Sequence, residues 1–158
     1  MQGLNIDYLC RYPQFIPALA NFSYQEWLPV YRQHGKDYQA ALHSYAQRIN
    51  TDSLPLALVV TLNGELLGSG SLKLHDIESR RDLGPWLGGM YVVEQWRGRG
   101  IGTLLLEHLL SEAARLKLES LYLWTASAQG WYARHGWHQY EQLDYCGYQG
   151  VLMHRTIY

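Results

Sequence analysis

Gln95-Trp96-Arg97-Gly98-Arg99-Gly100-Ile101-Gly102-Thr103 places three glycines on alternate positions. Before it, Trp86 to Glu94 has the apolar run of a strand. From Ile101 onward, apolar residues recur at helical spacing. Glycines between a strand and a helix let the backbone bend until its N–H groups converge. With the unpaired amides and dipole at the start of the following helix, such a turn suits an anion, and Arg97 and Arg99 add full positive charges. Three alternating glycines are equally compatible with a plain strand-to-helix connection, so the surrounding chain has to decide.

Upstream, Leu4 to Leu9 alternates as a short strand, and Phe15, Ile16, Leu19, Ala20 and Phe22 recur at helical spacing. This pattern predicts a first helix from about Pro13 to Trp27, ended by Pro29. A second helix is expected over Tyr38 to Ile49. Leu56-Ala57-Leu58-Val59-Val60 reads as a strand, and Asn63-Gly64 signals a tight hairpin into a partner strand reaching Leu74. Gly68 and Gly70 in that partner, and Gly88-Gly89 in the next strand, imply bulges or close backbone approach. Downstream, an amphipathic helix leads to the buried strand Leu121 to Trp124 and a short helix over Gln129 to Arg134. The last two strands are expected at about Trp137 to Asp144 and Val151 to Tyr158. The predicted order is β-α-α-β-β-β-α-β-α-β-β, an α/β domain around one mixed sheet.

Composition narrows the function classes. A chain of 158 residues fits one domain, here residues 1–158. With 47% apolar residues, 17% charged residues and a net charge of −1, neither a disordered chain nor a polyanion-binding protein is indicated, so nucleic acid is not an expected partner. The absence of a long apolar run and of a signal-peptide pattern at the N-terminus predicts a cytoplasmic protein with no membrane partner. Cys10 and Cys146 match no metal spacing, so two reduced thiols and no metal are expected.

The glycine turn is neither of the two commonest phosphate-binding motifs. A P-loop ends in Gly-Lys-Ser/Thr, whereas here Gly100-Ile101-Gly102-Thr103 stands. A dinucleotide fingerprint needs a glycine where Thr103 lies, and too little chain follows to complete a doubly wound sheet. Val92 to Leu105 instead resembles the pyrophosphate-binding motif of the GNAT acetyltransferases, Arg/Gln-x-x-Gly-x-Gly/Ala, here Arg97, Gly100 and Gly102. Tyr132-Ala133-Arg134-His135-Gly136-Trp137 is similar to the family's Tyr-x-x-x-Gly-Phe signature, with Trp137 for Phe. Both blocks stand in the family's order, and the predicted elements match it over nearly the whole chain.

The resemblance implies acetyl-CoA in a cleft where two parallel strands splay apart, here Trp86 to Glu94 and Leu121 to Thr125. Backbone groups of Met90, Tyr91, Val92 and Val93 would face the acetyl and pantetheine moieties. Arg97, Gly98, Arg99, Gly100, Ile101, Gly102 and Thr103 would hold the pyrophosphate. A backbone N–H aimed at the thioester oxygen would stabilise developing negative charge, and Tyr132 would assist the departing sulfur. The family's cofactor-contacting Asn is missing from Thr125-Ala126-Ser127-Ala128-Gln129, so Ser127 or Gln129 is the substitute to consider. The general base is open among Glu26, His75, Asp76, Asp82, Glu94 and a chain of water, with Glu26 the leading side chain. Tyr24, Glu26, Trp27 and Tyr31 are candidates to bind the acceptor, since aromatic walls beside a carboxylate suit a cationic amine. The expected function is acetyl transfer to a primary amine of a small molecule or a peptide N-terminus, and a homodimer is expected from the resemblance. A non-catalytic acyl-CoA-binding module of the same fold is the alternative.

Overall fold

The computed structural model describes residues 2–157. Its nucleus is the hairpin of β2 (Leu56–Leu62) and β3 (Glu65–Lys73). Asn63 (φ 50°) and Gly64 (φ 83°) both adopt the left-handed conformation that a two-residue hairpin turn requires. β1 (Leu4–Tyr8) adds to β2 and β4 (Trp86–Val92) to β3, both antiparallel. β5 (Ser120–Thr125), β6 (His138–Gln142) and β7 (Val151–Thr156) complete a seven-stranded sheet in the order β1-β2-β3-β4-β5-β7-β6. Among the described residues, β4 and β5 are the one parallel pair. The expected mixed sheet is therefore present, with β7 inserted between β5 and β6.

The helices differ from expectation in number and in their bounds. Three, not two, lie between β1 and β2: α1 (Ile16–Glu26), α2 (Leu28–Gln33) and α3 (Tyr38–Ala46). Pro29 was expected to stop a helix, but it sits in the first turn of α2, where its missing N–H costs no intrahelical bond. The chain breaks instead at Trp27 (φ −110°, ψ 28°). α1 starts after a 3-10 turn at Pro13–Phe15. α3 ends at Ala46, and the expected helical residue Ile49 forms a bridge to Leu56 instead. β4 stops at Val92, followed by a 3-10 turn at Glu94–Trp96. α4 (Ile101–Arg115) and α5 (Gln129–Arg134) match expectation. Met1 and the expected strand end at Tyr158 lie outside the described residues.

β2 is apolar except for the buried Thr61 because both its faces are covered. Leu56, Leu58 and Val60 join Leu105 and Leu109 of α4 in one core. Ala57 and Val59 join Leu19 and Ala20 of α1 and Ala41 and Tyr45 of α3 in the other. Burial of each large apolar side chain stabilises the fold by about 1.5–3 kcal/mol relative to exposure. Together these contacts clamp the sheet between α4 and the α1–α3 layer, and so hold both walls of the site described next.

Candidate active site

The site begins with a bulge in β4. Ser71 faces Gly88 and Ser69 faces Tyr91, so Gly89 and Met90 together oppose Gly70. Gly89 takes φ +61°, a conformation that disfavours any side chain. Gly70 leaves room for two side-chain ends, since a Cβ there would lie 2.6 Å from both Met90 Sδ and Leu109 Cδ1. Beyond the bulge β4 leaves β5, and the ladder between them holds the single pair Trp86↔Tyr122. The two parallel strands therefore splay, as the resemblance implied.

The register decides which backbone groups face the gap. Val93 donates its N–H to Leu67 O at 2.8 Å, and Tyr91 pairs with Ser69 on the same ladder edge. Strand alternation then turns the N–H and C=O of Val92, and of Met90 before it, towards β5. Of the four residues predicted to offer backbone to a ligand, Tyr91 is paired with β3, and Val93 has its N–H bonded to β3 and its carbonyl to the Trp96 N–H at 2.8 Å. Tyr91 still lines the gap with its side chain, while Val93 lines neither cavity described below.

At the mouth of the gap, Gly98 (φ 75°) and Gly100 (φ 83°) hold the turn in left-handed conformations, and a Cβ on either would meet no atom within 4 Å. The glycines are thus needed for backbone shape and leave open space above the turn. Gly100 caps α4 without a side-chain bond, so the N–H groups of Ile101, Gly102 and Thr103 have no intrahelical acceptor. Gly102 packs under Trp131, 3.5 Å from the ring to where a Cβ would be. Arg97 Nε donates to the Val92 carbonyl at 2.9 Å. Arg99 lies over the Trp96 ring, 4.8 Å from its centroid, and is not among the residues lining the cavity. That cavity, about 450 Å³, runs from Trp96–Gly98 across Gly100–Thr103 to Trp131 and Tyr132. Trp131 was not anticipated from sequence; two adjacent aromatics on a six-residue helix were its only signal.

A second cavity of about 630 Å³ opens on the other side of the bulge, roofed by Trp27, Val30 and Tyr31 and walled by Trp124 and Tyr145. Phe22, Glu26, Met90, Tyr91, Ala128 and Tyr132 line both cavities, so the two meet there. Phe22 and Glu26 reach this junction together because they are one helical turn apart on α1. Tyr24, predicted as an acceptor contact, lies between them on the opposite side of the helix. It packs edge-on against Tyr31 (5.3 Å) and Tyr38 (6.3 Å), away from both cavities. Trp27 and Tyr31 do line the larger cavity, as does Ser127, which was expected on the cofactor side.

Tyr132 is 8% exposed, and burial, with a smaller contribution from the negative charge of Asp76, holds its phenol well above the ordinary tyrosine range. The hydroxyl stays neutral at physiological pH and offers its proton for hydrogen bonding. Among the possible bases, Glu26 is exposed and at the junction. Asp76 lines only the larger cavity and is bound to Lys73 Nζ at 2.7 Å; His75 also lines that cavity. Asp82 is paired with Arg80, and neither Asp82 nor Glu94 lines either cavity. Cys10 and Cys146 are free thiols.

A sheet split between its two parallel strands, with the backbone of Val92 turned into the gap and a glycine turn with unpaired helix amides at its mouth, is the architecture of an acyltransferase that takes its acyl group from a CoA thioester. The particular family is shown by sequence. The model of the acetyltransferase (GNAT) domain matches residues 55–139, more than half the chain, and the chain belongs to that family, whose acyl donor is acetyl-CoA. A comparison with curated protein sequences found no significant match. Among solved structures, an aminoglycoside 6'-N-acetyltransferase complexed with coenzyme A is 17% identical, with a TM-score of 0.74 over 98% of this chain and 97% of the other. Aminoglycoside 6'-acetyltransferase type Ii is 18% identical, with a TM-score of 0.71 over 98% and 97%. A GNAT acetyltransferase from Staphylococcus aureus Mu50 is 19% identical, with a TM-score of 0.69 over 98% and 99%. These likenesses show the same fold.

Proposed function

We propose that the protein is an N-acetyltransferase in which a primary amine, of a small molecule or a peptide N-terminus, attacks directly within a ternary complex. One observation carries this: the cradle cavity and the larger cavity meet at Glu26, Met90 and Tyr132. Donor and acceptor would enter from opposite sides of the β4 bulge and touch only there. The cradle fits the donor, because the unpaired amides of Ile101–Thr103 and the charge of Arg97 suit a diphosphate, and the backbone of Val92 suits the amides of a pantetheine arm.

When bound, acetyl-CoA supplies the thioester carbonyl. The chain supplies the rest. The Met90 N–H would donate to the carbonyl oxygen as charge develops there. The amine lone pair forms the new C–N bond, and the C–S electrons leave with sulfur. The neutral Tyr132 hydroxyl would hydrogen-bond that sulfur; since burial makes it a weaker acid, stabilisation rather than complete proton transfer is its contribution. Glu26, directly or through water, would take the proton released by nitrogen. The aromatic walls formed by Trp27, Tyr31, Trp124 and Tyr145 would hold the cationic acceptor before it loses that proton.

The proposal takes residues 1–158 as one acetyltransferase domain, which the seven-stranded sheet supports. It also retains the cytoplasmic location and the homodimer implied by the resemblance; among the described residues no helix is long and apolar enough to cross a membrane. The test is release of free thiol from acetyl-CoA across a panel of primary amines. Acceptor-dependent release is expected; tight CoA binding with no release by any amine would overturn the catalytic proposal in favour of a binding module.

A further inference from the structure

Arg48 is 4% exposed and lines the larger cavity, yet it belongs to none of the ion pairs among the described residues. Its guanidinium lies over the Tyr45 ring, 3.8 Å from the centroid. Nη1 donates to Ser71 Oγ and Nη2 to Ser44 Oγ, each at 3.0 Å, and Nε has no partner. A buried guanidinium without a carboxylate is costly, and a ring face with two neutral hydroxyls offsets only part of that cost. Lys73 adds a second cation to the same cavity, and Asp76, the carboxylate beside it, is bonded to Lys73. Over its whole lining the cavity is balanced, Lys36, Arg48 and Lys73 against Glu26, Asp76 and Glu78, so what marks Arg48 is its own unpaired charge and not a net excess.

Position adds to charge. Arg48 Nη1 lies 2.9 Å from where a Cβ on Gly89 would be, so the cation abuts the β4 bulge. Gly89 is the residue before Met90, whose backbone faces the gap, and adjacent Cα atoms are only about 3.8 Å apart. A negative group held by Arg48 is therefore a few bonds from a nitrogen attacking at the junction.

We propose that Arg48, with the hydroxyl of Ser44, is a carboxylate-binding subsite, and that the acceptor is an amino acid whose carboxylate lies close to the amine being acetylated. Ser44, which lines the cavity, accepts from the guanidinium and still has an O–H to donate to the carboxylate, while the fully buried Ser71 holds Nη1 from behind. The inference rests on the acetyl-transfer function proposed above.

Thiol release is measured for free amino acids and their decarboxylated amines in pairs, phenylalanine with phenethylamine, tryptophan with tryptamine and lysine with cadaverine. The best amino acid is expected to exceed its amine in kcat/KM by at least about tenfold, as loss of a charge-assisted bidentate contact predicts. Arg48→Gln is expected to collapse that ratio to within about threefold. Equal use of acid and amine by the wild type, which requires no variant, overturns the subsite. So does an Arg48→Gln protein that loses activity on both alike, the result expected if Arg48 only braces the bulge. Binding without turnover is read by thermal unfolding with CoA plus N-acetylphenylalanine or N-acetylphenethylamine. A shift at least about 2 °C larger for the acid supports the subsite even if no acceptor is turned over, and equal shifts overturn it.

Discussion

The Nε of Arg97 donates to the carbonyl oxygen of Val92 across 2.9 Å, so the side chain expected to hold phosphate occupies a backbone acceptor in the gap. Arg97 therefore has two possible contributions to cofactor binding, and they oppose one another. Removing it deletes a charge-assisted contact to diphosphate, about 1.5–3 kcal/mol, but frees a carbonyl whose own hydrogen bond contributes about 0.5–1.5 kcal/mol. The charge should win. Arg97→Ala is expected to weaken CoA binding about tenfold by calorimetry, with a smaller dependence on salt than the wild type. Unchanged affinity would mean that Arg97 serves only to brace Val92.

Gly100 separates backbone strain from occupancy of the cradle. At φ +83°, any side chain costs about 1–2 kcal/mol, but a Cβ there meets nothing within 4 Å. Gly100→Ala should lower the melting temperature slightly and retain CoA binding. Gly100→Glu carries the same strain and adds a carboxylate where the diphosphate would lie, so binding should be lost while circular dichroism is preserved. If the two variants bind CoA alike, the cradle is wrongly placed.

Tyr132→Phe should reduce kcat by about ten- to a hundredfold with little change in CoA affinity. A pH experiment gives an independent check. The phenol is raised in the folded state, so the unfolded chain ionises first, near the ordinary tyrosine value of 10.0, and binds fewer protons than the folded one above that pH. The contribution to stability is complete below pH 10 and falls as pH rises further, by up to about 1.4 kcal/mol per pH unit. In Tyr132→Phe the alkaline slope from urea titrations should be shallower; equal slopes would place Tyr132 in water.

Glu26→Gln keeps the shape of the junction and removes its proton acceptor. A loss of about a hundredfold in kcat/KM is expected near neutral pH, shrinking as pH approaches the pKa of the amine and less of it needs deprotonation. A deficit that does not change with pH would leave Glu26 a contact for the acceptor and hand the proton to water.

Gly70→Ala tests the close approach of β3 to α4. Its Cβ would stand 2.6 Å from Leu109 Cδ1 and Met90 Sδ, so the ends of those two side chains must swing aside within a packed core. Overpacking of this kind costs about 1–3 kcal/mol. Chemical denaturation should show that loss, accompanied by weaker CoA binding because Met90 lies in the bulge. A variant as stable as the wild type would show that the bulge is soft.

The fold and the glycine turn before α4 were readable from the chain because both depend on local signals. Asn63-Gly64 demands left-handed backbone wherever it occurs, alternate glycines before a helix expose amides, and the apolar periods of β2 and α4 assign their faces. Tertiary structure decided what those signals cannot carry. The register of β3 against β4 bonded Val93 and Tyr91 and left Val92 and Met90 facing the gap. Helical phase, set by packing against the sheet, sent Phe22 and Glu26 to the junction and Tyr24 against Tyr31 and Tyr38. Arg48 gave no sequence signal because its significance lies in a missing partner, which exists only once α3, β3 and the β4 bulge are brought together. Pairing and burial join residues far apart in sequence, and no local propensity encodes them.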